Sequence, residues 1–100
     1  MMQKIKQLRK RIDELDDQIL QYLSKRVEIC QSIGSIKEKN MWPIQDFPRE
    51  KDVYAHIREK ATELGLDPSH METIYRQIVI MCSAVQNSKN EVRDEPELED

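Results

Sequence analysis

Between Ile5 and Ile36 the sequence repeats in sevens. Ile5, Leu8, Ile12, Leu15, Ile19, Tyr22, Ile29, Ile33 and Ile36 step by three and four, as the a and d positions of a heptad do. One seam position, 26, is an arginine. No proline interrupts the run and Gly34 is its only glycine. The pattern predicts a helix from about Gln3 to Lys39. At ~1.5 Å per residue the stretch from Ile5 to Lys39 makes a rod on the order of 50 Å long. A compact domain of this length has a radius of gyration of about 13 Å. The rod must be covered by the rest of the chain or by a second copy.

Two further cations lie beside the seam. Arg9 and Lys37 are four heptads apart, so both fall at the same e position. Along one helix they are separated by ~42 Å, too far for one small ligand. An antiparallel two-fold dimer removes the difficulty. With its axis near Leu20, Arg9 of the second copy falls level with residue 31, between Arg26 and Lys37. An isologous interface repeats that arrangement twice.

Composition agrees with a helical assembly. Of 100 residues, 38% are hydrophobic and 35% charged, which suits long amphipathic helices around a small or shared core. No alternating run of strand type occurs, so the expected class is all-α. The net charge of −3 conceals an acidic end: residues 91–100 hold six acids and one arginine. No basic face marks a nucleic-acid binder. No run approaches the ~18 apolar residues of a membrane span. The charged N-terminus is unlike a secretory segment, so a cytoplasmic protein is expected. Cys30 and Cys82, both in apolar-patterned helices, read as reduced core thiols.

Asn40 can end the first helix, since Pro43 disfavours helix at Trp42. Trp42 and Ile44 are expected to fold back as apolar plugs. Asp46 or Phe47 caps a second helix with Pro48 in its first turn. Its stripe is Val53, Tyr54, Ile57, Ala61 and Leu64. Arg49 and Glu50 lie one turn before that stripe and share its face. They read either as a dipole-favoured acid with a solvated neighbour or as part of a site. Gly65 and Leu66 form a left-handed helix stop. Asp67 and Pro68 open a third helix with the stripe Met71, Ile74 or Tyr75, Ile78, Met81 or Cys82, and Val85. Gln86 continues that face or ends it in solvent. The surface set Arg11 and Asp13 to Asp17, and the histidines 56 and 70, read as solvated. Residues 1–88 form one domain and 89–100 an acidic tail expected to be disordered.

The chemistry-bearing residues are then Arg9, Arg26, Lys37, Arg49, Glu50 and Gln86. No Ser-His-Asp set, Cys-His set, phosphate loop or metal cluster is present, so no metal and no cofactor is expected. Cations with one carboxylate and one neutral amide suit a small dianion gripped by two guanidinium forks. They also suit a reaction that needs only a fixed shape and charges aimed where charge develops.

LRKRIDELD at Leu8–Asp16, KR at Lys25–Arg26, IGSIK at Ile33–Lys37, PIQDFPRE at Pro43–Glu50 and the helical Gln86 together resemble the all-α (AroQ-type) chorismate mutases. The resemblance covers about residues 3 to 87. It implies an intertwined homodimer of three-helix chains with two shared active sites. It implies the pericyclic [3,3] rearrangement of chorismate to prephenate, without a cofactor. By position, Arg26 and the second copy's Arg9 would hold the two carboxylates. Lys37 and Gln86 would hydrogen-bond the ether oxygen. Glu50, with the backbone near Asp46, would take the ring hydroxyl, and Arg49 would line the pocket. Cys82 stands where some members carry Ser or another hydrogen-bonding residue against substrate, and a thiol is a weaker donor.

Two alternatives stand beside this reading. One is an isochorismate-pyruvate lyase of similar fold. The other is a helical dimerisation module in which Arg26 only sets register and Glu50 only caps. No second domain for feedback control is visible, so an unregulated, monofunctional enzyme is expected.

Overall fold

The heptad run forms α1, Met2–Asn40, a single 39-residue helix. In this computed structural model the backbone is described for residues 2–99 and side chains for residues 2–87. Two more helices follow, α2 at Phe47–Glu63 and α3 at Pro68–Glu99, and among the described residues there is no strand. The acidic tail at 89–100, expected to be disordered, lies outside the residues whose side chains are described.

Each boundary has a local cause. α1 ends where Met41 turns left-handed at φ 56°. The Met41 N–H donates to the Glu38 carbonyl at 3.1 Å and the Trp42 N–H to the Lys37 carbonyl at 2.8 Å. That pair is a Schellman motif built on methionine rather than glycine. α2 starts on Asp46, whose Oδ1 accepts from the Arg49 N–H at 3.0 Å. It stops at Gly65, at φ 73°, with the Gly65 N–H on the Thr62 carbonyl and the Leu66 N–H on the Ala61 carbonyl. α3 starts on Asp67, whose Oδ1 accepts from the N–H groups of Ser69 and His70. The boundaries at Asp46, Gly65 and Asp67 follow the caps anticipated from sequence, whereas α1 runs one residue further at each end and closes on Met41.

The helices form an elongated body of 60 × 34 × 15 Å with a radius of gyration of 17.9 Å. α3 packs against both α1 and α2, while among the described residues the backbones of α1 and α2 do not approach one another closely. The face of α1 turned to α3 is not the heptad seam. Leu23, Val27, Cys30 and Gly34, one stripe around from the seam, are partly or fully buried, and Cys30 and Gly34 are the two that are fully so. The seam residues Ile5, Leu8, Ile12, Leu15, Ile19, Tyr22, Ile29, Ile33 and Ile36 remain 40–70% exposed. From Met2 to Tyr22 every residue of α1 is exposed. One chain thus leaves the rod's N-terminal half bare.

Three expectations change. Cys30 and Cys82 are not separate thiols: they are joined as a disulfide, with Cα atoms 5.6 Å apart. The sequence places each in an apolar-patterned helix but not opposite the other, and only the crossing of α1 over α3 does that. Trp42 is 59% exposed rather than a plug, because the loop carries its ring outward, while Ile44 is half-buried. Leu64 is 63% exposed at the C-cap, where α2 has already turned away.

Candidate active site

At the crossing of α1 and α3, roofed by the loop and the start of α2, lies a cavity of about 320 Å³. Seven residues singled out from sequence line it: Arg26, Lys37, Asp46, Arg49, Glu50, Cys82 and Gln86. They come from all three helices and the loop, 60 residues apart along the chain. Arg9 does not reach it. It lies in the exposed N-terminal half of α1, against Lys6, Lys10 and Asp13 in a separate shallow depression.

Each side chain is delivered by its element. Arg26 and Cys30 are one turn apart on α1, and Arg26 Nη1 approaches Cys30 Sγ at 3.8 Å. Lys37, about three turns beyond Arg26, donates from Nζ to the Ile44 carbonyl, which ties the end of α1 to the loop. Asp46 caps α2, and that cap places Arg49 and Glu50 in its first turn, facing the opening. On α3, Cys82 and Gln86 are one turn apart, and Gln86 Nε2 donates to Cys82 Sγ at 3.3 Å. Gln86 is only 4% exposed, which decides its reading as an inward residue rather than a solvated helix end. Its Oε1 is buried with no hydrogen-bond partner among the described residues.

Gln86 is reached because α1 carries a glycine beside it. A Cβ built at Gly34 would lie 3.0 Å from the Gln86 Cα and Cβ. The site's apolar walls are Ile29, Ile33, Val53 and Val79, with Ile44 and Ser83. Sequence reasoning placed Ile29 and Ile33 on the seam and missed Cys30 as a lining residue. Its signal was available, since Cys30 lies four residues after Arg26.

Three cations and two carboxylates line the cavity, leaving one net positive charge. A mainly apolar pocket with convergent cations, one buried amide and no nucleophile–base pair can hold a small anion and stabilise charge in it. Among the described residues no group of histidines, cysteines and acids could hold a metal ion. The histidines 56 and 70 are exposed, as expected.

Three α-helices around one cationic cavity define the class as a small all-helical protein with a site suited to an anion. The family described as Chorismate mutase type II matches residues 8–87, and the chain belongs to that family. It is 31% identical to the chorismate mutase of Methanocaldococcus jannaschii over 86% of this chain and 87% of that protein. It is 34% identical to the bifunctional chorismate mutase/prephenate dehydratase of Aquifex aeolicus over 85% of this chain. It is 31% identical to the T-protein of Enterobacter agglomerans over 89%. The chain spans about a quarter of the length of these last two relatives.

Proposed function

We propose that this chain rearranges chorismate to prephenate, in the synthesis of phenylalanine and tyrosine. The observation that carries the reading is the convergence of Arg26, Lys37, Arg49, Glu50 and Gln86 on one cavity. In this reaction the ether C–O bond breaks as a C–C bond forms across the same molecule. No proton is transferred and no covalent intermediate is needed. The catalyst's task is to hold a folded conformer and to stabilise negative charge on the ether oxygen.

Arg26 grips one carboxylate. Lys37 Nζ and one N–H of Gln86 donate to the ether oxygen, most strongly when its bond is breaking. Glu50 accepts from the ring hydroxyl, assisted by backbone near Asp46, and Arg49 lines the same wall. Cys82 lies against the bound substrate.

A second copy of the chain completes the site. The exposed apolar seam of α1 supports this, since nine large side chains are left bare along one stripe. Burying such a stripe against its two-fold mate is the ordinary outcome for a heptad helix. Arg9 of the partner subunit then enters the cavity and takes the second carboxylate. Its charge raises the net from one to two positive charges, matching a dianion. A cytoplasmic location fits this metabolism. Among the described residues no helix is long and apolar enough to cross a membrane.

Incubation of the purified protein with chorismate tests the reading. Prephenate is expected to appear as chorismate disappears. Persistence of chorismate, or release of salicylate from isochorismate instead, would overturn it.

A further inference from the structure

The Cys30–Cys82 bridge lies on the cavity wall between two groups of the site. Arg26 Nη1 is directed at one sulfur and Gln86 Nε2 at the other. One turn further along each helix, Gly34 lets α1 touch the backbone of Gln86. The bridge and the glycine contact are therefore consecutive rungs of one crossing, and Gln86 sits on the second rung.

We infer that Cys30 and Cys82 are positioning residues whose disulfide aims the amide of Gln86. The inference rests on the mutase reading of the cavity. A disulfide sulfur has no hydrogen and can only accept, so it holds the amide nitrogen, never the oxygen, toward itself. One N–H of Gln86 is spent on Cys82 and the other is left for the substrate. A thiol at Cys82 could also donate, and the buried, unpartnered Oε1 of Gln86 would take that hydrogen. The amide would then populate both orientations, and one of them presents oxygen to the ether oxygen. Two thiols also need more room than a bond. Nonbonded heavy atoms settle ~3.5–4 Å apart, so reduction presses α1 away from α3 one turn from Gln86.

The chemistry balances without a metal. The two thiols give up two electrons and two protons to a small disulfide such as oxidised glutathione. One S–S bond forms in the protein as the other breaks, and two small thiols leave. In a reducing compartment such bridges are typically transient and redox-sensing.

The test uses the intact wild-type chain, treated with oxidised glutathione or with a reducing dithiol. Free thiols, kcat, KM and melting temperature are measured on both samples. We expect no free thiol after oxidation and two per chain after reduction. On reduction kcat should fall about tenfold, less than the 10²–10³ of losing the donor outright. KM should change by less than about twofold, since the ether oxygen gains its charge only in the transition state. Reoxidation should restore kcat, and Cys30→Ser should remain at the reduced rate whatever the reductant. Equal kcat in the two samples, with only the melting temperature moving, would leave the bridge a structural staple and overturn the inference. So would two thiols persisting after oxidant. A measurable rate indifferent to reduction sinks this inference alone, whereas no rate in either sample sinks the mutase reading and this with it.

Discussion

Gly34 and Gln86 touch so closely that a methyl on the glycine would lie 3.0 Å from both Cα and Cβ of the glutamine. Neither atom can rotate away, because both are fixed by the α3 backbone. The glycine is thus what allows a buried amide from α3 to stand at the wall of a cavity made largely by α1.

Gly34→Ala should therefore push α1 from α3. Overpacking costs ~1–3 kcal/mol, offset by about 1 kcal/mol of better helix propensity. A net loss of ~1 kcal/mol is expected in urea unfolding, with kcat reduced about tenfold because a small misplacement of Gln86 costs much in rate. Undiminished kcat would show that the close approach does not position the amide.

Lys37→Ala should lose turnover far more than affinity. Removing one preorganised donor to a developing oxyanion costs ~3–4 kcal/mol, or 10²–10³ in kcat. Steady-state kinetics with chorismate measure it. A near-normal kcat would make Lys37 a tie to the Ile44 carbonyl and nothing more.

Arg9→Ala and Arg26→Ala should each raise KM strongly while sedimentation still shows a dimer. Refolded together, the two variants should recover about a quarter of the wild-type rate, since half the dimers are mixed and each mixed dimer has one intact site of two. No recovery on mixing would mean that each cavity is complete within one chain.

Gln86→Glu should work only at low pH. An ionised Glu repels the ether oxygen, whereas a protonated one donates its O–H. Burial at this position favours the neutral form and extends the active range above the ordinary carboxylate value of about 4.3. A flat pH–kcat profile for this variant would remove Gln86 from the reaction.

Acid should weaken the α2–α3 pair. The His70 N–H, then that of Ser69, holds the Asp67 carboxyl below its ordinary 3.8. The hydrogen bond from Arg76, then that from Arg58, holds Glu72 below 4.5. Groups depressed in the folded state stabilise it above their unfolded pKa and lose that stabilisation as pH falls through the folded value. Melting temperature should thus start to drop below pH ~4.5. Asp67→Asn with Glu72→Gln should lower it at neutral pH and flatten the acid limb. An acid limb unchanged by the pair would place its cause elsewhere.

The three helices, their caps at Asp46 and Asp67, and the stop at Gly65 were all legible in the sequence, because each depends on neighbours within four or five residues. Arg26 was conspicuous as the one charge on the heptad seam and Lys37 as a cation beside it, whereas spacing alone left Arg49, Glu50 and Gln86 open between a site and solvent. What only the tertiary structure decided was which stripe of α1 faces α3. The heptad seam is the more apolar one, yet the chain packs its neighbour, Leu23, Val27, Cys30 and Gly34, because there a glycine and a cysteine let the helices cross closely. That crossing set Cys30 against Cys82 and buried Gln86, two facts no spacing along one helix contains. Periodicity gives the angle of a side chain about its own axis, whereas contact depends on the rotation of two axes against each other.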